Sequence, residues 1–480
     1  MGCGGKDDKK KNNKGAGGRA HVKGDVLPGR AELPSQRKHI GSLNPMPATP
    51  ELWLEEKRQR DEQEAGVPPH LWLIHGKLYD LTGFMDKHPG GPEWLEFVRG
   101  MDCTLEFETH HLDDAKVQRL LAKYYVRDAD PDRIRRVQAF TFKYDGFYKT
   151  FKRRALPVIR QHGGTHGGRK MELASAFAIL VWTLSYTATC ITGSLFLAAL
   201  SGVFLLAMFG VGHNYFHQRN HPFRYAMDLT FAGHHQWRIS HAISHHGHAN
   251  LDIDIELSQL EPLSTFLRSQ PRFGPWIYLA AVPYYLVAAP IDIARTWIGL
   301  ITGAASRRPE QIIRIAQLVI LMACQGPLWG LLLFDVMHTF GALGLFVASF
   351  PVHRTEYAWS DGCQSVDPDK PDFGEHIVAV SHDYGLDLGL LGQIFLAGSF
   401  NNHIIHHLLP TLDLSKQRLL LPLLDDLCAE FKLRRHKRSF LELFGSYVRA
   451  MHVTKEQGLK YHPDGHQHAG RNGASHKKTN

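Results

Sequence analysis

Two long stretches of this chain, residues 171–212 and 310–352, are almost free of charge, and each is followed closely by histidine. That pairing limits the possible folds more than any other feature. A helix needs about 20 apolar residues to cross a bilayer. The run from Leu173 to Gly212 therefore predicts two crossings, about 173–191 and 195–212, turning near Ile191-Thr192-Gly193-Ser194. The second stretch predicts two more, about 312–332 and 335–352, joined near Phe334-Asp335. Between them, residues 275–301 are apolar but interrupted by Pro283, Pro290, Asp292 and Arg295, and are expected to lie in the membrane interface or to re-enter.

Three histidine clusters flank these runs: His213-Asn-Tyr-Phe-His217, His241-Ala-Ile-Ser-His245-His246 and His403-Ile-Ile-His406-His407. On an α-helix, residues three and four apart share a face. His213/His217 and His403/His406/His407 should each aim one way; His241/His245 should do so too, with His246 turned aside. A structural zinc site needs four ligands. Eight imidazoles in three clusters point to a transition metal and to more than one ion. With 31 histidines in the chain some clustering arises by chance, but chance does not explain three clusters at the polar ends of apolar segments. All three can share metal only on one side of the membrane, which is why 275–301 is not counted as a crossing.

A length of 480 residues allows two or three domains. Residues 1–50 are Gly-, Lys- and Pro-rich and predict a disordered basic arm, and 452–480 a disordered tail. Gly2 and Cys3 are in place for myristoylation and palmitoylation, although Lys6 stands where Ser or Thr is preferred. The net charge of +8 does not imply nucleic acid, because Lys and Arg flank apolar runs instead of forming a stripe. They crowd the histidine side of the predicted crossings, which makes that side cytosolic. Six scattered cysteines ask for no disulfide and fit a reducing compartment. Residues 131–170 form a basic connector with interleaved aromatics, expected to lie on an anionic membrane surface. Leu414 to Phe444 reads as an amphipathic stretch closing the cytosolic side.

Residues 52–130 have a different texture. Leu71 to Asp80 reads as a hairpin turning at His75-Gly76. His88 is followed by Pro89-Gly90-Gly91, which breaks the backbone and lets that imidazole project into a cleft. His110 and His111 follow about two dozen residues later. Two imidazoles from opposing elements can ligate a haem iron on both faces, leaving no open position for oxygen: an electron carrier. With Tyr79-Asp80-Leu81-Thr82 ahead of His88-Pro89-Gly90-Gly91, the segment resembles a cytochrome b5 domain. That resemblance implies haem b on His88 and His111, the latter lying before Leu112-Asp113-Asp114-Ala115 with Phe107 four residues ahead. His110 is its competitor.

The three histidine boxes on predicted crossings resemble the membrane fatty acid desaturases. With the haem domain, residues 70–440 resemble the cytochrome b5-fusion desaturases, in particular the animal cytochrome b5-related proteins. The resemblance implies a multi-pass enzyme of the endoplasmic reticulum. Two iron ions would be held by His213, His217, His241, His245, His246, His403, His406 and His407, with His353 after Ser349-Phe350-Pro351-Val352 as the ninth ligand. It further implies O2, an acyl-CoA or phospholipid acyl substrate, and electrons from NADH through a cytochrome b5 reductase. Asp252, Asp254 and Glu256 are candidates to orient the ligands from behind. Two departures matter. His403 stands where front-end desaturases usually carry Gln, and box two is longer than H-x-x-H-H. A hydroxylase, an electron-transfer protein with a non-catalytic desaturase-like half, and zinc in place of iron stay open. The expected fold is an α+β cytochrome b5-like haem domain (52–130) followed by an all-α, four-span desaturase-like domain (171–445) with a cytosolic histidine-rich cap.

Overall fold

The hairpin forms as β1 (Trp72–Ile74) and β2 (Lys77–Tyr79), antiparallel, with Trp72 opposite Tyr79 and Ile74 opposite Lys77. At its turn both His75 (φ 49°) and Gly76 (φ 72°) are left-handed, as a two-residue turn matched to strand twist requires. For His75 the strain is offset by contacts: its N–H donates to Thr104 Oγ1 at 2.9 Å and its ring lies 2.6 Å from Glu108 Oε1. β3 (Tyr125–Asp128) pairs antiparallel with β2 and completes a three-stranded sheet. Strand periodicity then divides the core. Leu73 and Leu78 pack with Ala65, Ile134 and Val137, while Trp72, Ile74 and Tyr79 face Phe97, Met101 and Phe107.

This computed structural model describes residues 50–218, 220–251, 253–258, 298, 301–302, 308–355, 371–435 and 437–450. The expected arm at 1–50 apart from Pro50, the tail at 452–480, Asp252 and nearly all of 275–301 lie outside them. Around the sheet stand α1 (Pro50–Ala65), α2 (Pro92–Phe97), α3 (Thr104–His110), α4 (Asp114–Leu121) and α5 (Pro131–Val137). Aspartates start the last two: Asp113 accepts from Lys116 N–H at 3.3 Å and Asp130 from Asp132 N–H at 3.0 Å, satisfying donors that a helix start leaves free.

Most aromatics of the basic connector turn inward, although Tyr144 is exposed. In α6 (Phe147–Gln161), Phe147, Tyr148 and Phe151 are fully buried in one core with Phe107 of the amino-terminal domain and Ile404, Ile405 and Leu424 from the C-terminal part. Each such side chain contributes about 2 kcal/mol or more on burial, which outweighs interfacial placement. Lys149 and Lys152 turn inward to Glu108 and Asp114, while Arg153, Arg154 and Arg160 stay exposed.

α7 (Gly168–Thr192) and α8 (Leu195–Phe216) form the first predicted hairpin, with Gly193 left-handed at the turn (φ 63°). On α7, Leu173, Phe177, Leu180, Leu184 and Ile191 are exposed at helical spacing, an outward apolar face suited to lipid. The second pair departs from expectation. Its break falls at Gly326-Pro327, not near Phe334-Asp335, giving helices Ile312–Gln325 and Pro327–Ser349. Gly326 (φ 84°) ends the first helix; Pro327, with φ fixed and no N–H to satisfy, opens the second. Asp335 is carried inside that helix. At 14 residues the first is about 21 Å long, short of a hydrocarbon core of about 30 Å. Among the described residues three helices are long and apolar enough to cross a membrane: Gly168–Thr192, Leu195–Phe216 and Pro327–Val352. α8 and Pro327–Ser349 approach closely at Gly202, where a Cβ would collide with the Met337 carbonyl oxygen.

Candidate functional site

α8 brings His213 and His217 to its end, one turn apart and aimed together as predicted. Box two corrects the α-helical reading. Arg238–His245 is a π-helical segment, and the His246 N–H donates to the His241 carbonyl five residues back. The wider turn aligns His241 with His246 and sends His245 elsewhere. In the helix His403–Leu408, His403 and His407 share a face while His406 points away, so box three also divides.

The nine predicted histidines gather in two clusters: His213, His217, His241, His246 and His406 in one, His245, His353, His403 and His407 in the other. Within each, one ligand atom per residue lies within 4.8 Å of all the others. None of the nine is more than 5 % exposed. The clusters abut, with the His246 and His407 rings stacked at 4.1 Å.

Proton bookkeeping shows that these imidazoles suit a cation. His241 Nδ1 lies 2.8 Å from Glu256 Oε1, His245 Nδ1 2.9 Å from Asp254 Oδ2, and His353 Nδ1 2.9 Å from the Val380 carbonyl oxygen. Those oxygens only accept, so each Nδ1 donates, and in the neutral ring Nε2 keeps its lone pair. His353 Nε2 then forms a triangle with His403 Nε2 (2.6 Å) and His407 Nε2 (3.0 Å), which are 3.1 Å apart. No placement of protons satisfies all three edges, since one always sets donor against donor or acceptor against acceptor. A cation about 2 Å from each nitrogen resolves the conflict. In the first cluster His241 Nε2 lies 3.0 Å from His213 Nε2 and 3.2 Å from His246 Nε2. His217 has neither ring nitrogen hydrogen-bonded, though both are buried. Asp254 and Glu256 are thus buried behind two of the histidines, as carboxylates that orient metal ligands are. The Val380 carbonyl has no signal in the sequence, because backbone atoms leave none. Buried Arg354, beside Asn250 and Asp254, was likewise not foreseen.

In the haem-side domain, His88 and His111 face each other with ring centroids 6.2 Å apart. Two imidazoles opposed on one ion, each bonded at about 2 Å, need a separation of this size. His88 Nδ1 donates to the Gly91 carbonyl at 2.9 Å and His111 Nδ1 to the Phe107 carbonyl at 2.8 Å, which turns both Nε2 atoms toward the gap. His110 is directed elsewhere. Its Nδ1 lies 3.0 Å from the Glu106 carbonyl oxygen and its ring packs 5.2 Å from that of Trp94. Burial pushes the His110 imidazole down to about 3 and His111 to about 4, so both are neutral at ordinary pH.

The two sites are physically joined. Tyr148 Oη lies 3.1 Å from the Glu108 carbonyl oxygen in α3 and 3.0 Å from that of Leu408 at the end of box three. Trp53 of α1 donates Nε1–H to the Ile253 carbonyl at 2.9 Å, just after box two.

Comparison with known proteins agrees with this layout. The fatty acid desaturase family model matches residues 187–439, and the cytochrome b5-like heme/steroid binding domain model matches 54–130. A cytochrome b5-related protein of Drosophila melanogaster is 31% identical over 398 residues, covering 80% of this chain and 87% of that protein. An acyl-lipid (8-3)-desaturase of Physcomitrium patens is 25% identical, covering 83% and 91%. A delta(5) fatty acid desaturase A of Dictyostelium discoideum is 23% identical, covering 82% and 92%.

Proposed function

Because this chain belongs to the fatty acid desaturase family, with a cytochrome b5-like domain on its amino-terminal side, we propose that it desaturates an acyl chain of a lipid or acyl-CoA. The observation that carries the reading is the division of nine buried histidines into two abutting clusters, in one of which no arrangement of protons satisfies the His353, His403 and His407 nitrogens. His213, His217, His241, His246 and His406 would hold one iron and His245, His353, His403 and His407 the other; His88 and His111 would hold haem b. When bound, the haem supplies one-electron transfer and the iron pair supplies the O2 chemistry that side chains lack.

The protein's own work is positioning. Glu256 and Asp254 fix the His241 and His245 tautomers, so Nε2 is presented to metal without rearrangement. Val380 does the same for His353. Burial of all nine imidazoles excludes water from the reacting region. The apolar helices offer an acyl chain a hydrophobic path, and cationic side chains on the histidine side suit a CoA or phospholipid head group. In this reading Ile312–Gln325, led in by Pro309–Gln311, counts as a fourth crossing, the histidine side is cytosolic, the membrane is the endoplasmic reticulum, and NADH reduces the haem through a cytochrome b5 reductase.

Lipid profiles of cells expressing the wild type or His407→Ala test the proposal. Wild type should add unsaturated acyl species that the variant does not. The likeness to a cytochrome b5-related protein favours one rival, an electron-transfer protein with a structural desaturase-like half. Identical profiles across a broad lipid panel, with the wild-type haem spectrum intact, would establish that rival instead. New hydroxylated species would redirect the reading to a hydroxylase on the same scaffold.

A further inference from the structure

One side chain spans the space between the haem-side pocket and the first histidine cluster. Trp94, half-buried in α2, packs among the described residues against two separate cores: the one beneath His88 and His111, and the one containing Phe209 and Phe216. On the pocket side its ring centroid is 5.2 Å from that of His110. A Cβ built on Gly90 would lie 3.0 Å from His88 Cε1 and 3.6 Å from Trp94 Cδ1, so the indole edge and the His88 ring border one small gap. On the cluster side Arg238 lies 5.0 Å over the indole centroid and donates Nε–H to the Phe216 carbonyl at 3.0 Å. The Phe216 ring stacks on His217 at 4.2 Å. A series of van der Waals and hydrogen-bonded contacts thus runs from Trp94 through Arg238 and Phe216 to His217, with His88 across the small gap beside Gly90.

The clamp on this series is built in. Glu93, next to Trp94, pairs with Arg238 and Arg308 and lies 3.0 Å from His235 Nδ1. Burial alone would raise the Glu93 carboxyl, but His235, Arg238 and Arg308 together hold it below the usual carboxylate range. It is therefore ionised at ordinary pH and pairs with Arg238, which lies over the indole.

We propose that Trp94, held by Arg238 and Glu93, is the electron bridge from the haem pocket to the first histidine cluster. The proposal rests on the reading that haem and iron occupy these sites. Each event would move one electron and make or break no bond: haem held by His88 and His111 would give up one electron, and a ferric ion held by the His213/His217 cluster would accept it. The electron originates with an external reductant of the NADH-flavoprotein class. A guanidinium over the indole face disfavours an oxidised indole. Trp94 accordingly stays neutral and couples the two centres without storing charge.

The experiment uses the full-length protein loaded with haem and iron in lipid nanodiscs, without oxygen. The haem is photoreduced, and its return to the ferric state is followed by its absorbance bands. Trp94→Phe keeps an aromatic ring; Trp94→Met keeps comparable bulk without one. A bridge predicts that Trp94→Phe stays within a few-fold of wild type while Trp94→Met slows by about tenfold or more, with iron content and band positions unchanged. Equal rates in both variants and wild type overturn the bridge, as does loss of haem from both variants, which would make Trp94 a support of the pocket. A wild-type protein that binds haem but neither retains iron nor reoxidises its haem fails on the functional reading itself, a result separate from either variant outcome.

Discussion

Replacing Glu108 with glutamine probes how the haem-side domain is held to the rest of the chain. The carboxylate is fully buried at the end of α3. It receives Lys149 Nζ at 2.5 and 2.7 Å, Lys152 Nζ at 2.9 Å, and lies 2.6 Å from His75 Nε2. Both lysines come from α6, so this cluster fastens the domain to the core shared with box three. Removing one partner of a buried ion pair costs about 3–5 kcal/mol, because the other charge is left uncompensated. Asp114 still faces both lysines and is only partly exposed, which places the expected loss near the lower end, about 3 kcal/mol. That equals roughly a 100-fold rise in the opening equilibrium. Hydrogen exchange of the full-length protein in nanodiscs reads it directly, at the amides of Thr104–His110 and Phe147–Gln161. The effect should carry a pH signature. Burial alone would raise the Glu108 carboxyl, but His75, Lys152 and Lys149 prevail and hold it well below the ordinary range. A carboxyl depressed by folding contributes stability above its unfolded pKa of about 4.3, and that contribution is lost as pH falls through the folded value. Wild type should therefore loosen at this contact below about pH 4, and the variant should lack that component. Adding Lys152→Met should recover part of the loss, since it removes the stranded charge. Exchange and acid response unchanged in Glu108→Gln would refute the argument that this cluster fastens the two halves.

Two further outcomes are expected at the sites. Glu256→Gln should weaken metal binding at the first cluster by about 10–100-fold in chelator competition while leaving the haem absorbance unchanged, because the His241 tautomer loses its support while His245 keeps Asp254. His111→Ala should abolish the haem absorbance band, whereas His110→Ala should retain it, since only the His111 ring faces His88; the opposite pattern would reverse that assignment.

Much of this arrangement was legible because it rests on local rules. The helix ends at His213/His217, the two-residue turn at His75-Gly76 and the chain break after His88 follow from spacing, glycine and proline alone. The allocation of histidines between clusters was not legible. Box two reads as α-helical by its i, i+4 spacing, and a π-helical segment leaves no mark in residue identity, so the His241/His246 partnership became visible only with the backbone. Box three divides because His406 and His407 are adjacent and project about 100° apart on the helix, so only one of them can stay with His403. The misplaced turn has another cause. Asp335 drew the break to itself as a charged residue in an apolar run, while Gly326-Pro327 carried the real backbone signal without any charge. The inward-facing connector was missed because Lys149 and Lys152 read as surface residues until their long-range partners, Glu108 and Asp114, are known.

Those same partners bear on how electrons could be delivered. A haem domain on a flexible tether reaches its acceptor only at an effective concentration of about millimolar and must dock afresh for each electron. Here Tyr148 touches the carbonyls of Glu108 and Leu408 at once, Trp53 is anchored at Ile253, and Phe107 shares a core with Ile404 and Ile405. Separating the domain would expose those apolar side chains and strand the Lys152 ammonium, each costing kilocalories that a transient encounter does not repay. The distance from His88 to His217 is thus set by packing and not by diffusion. It follows that the rate of internal transfer should be insensitive to viscosity and to salt. A tethered domain would show both dependences, because its docking is a collision between charged surfaces.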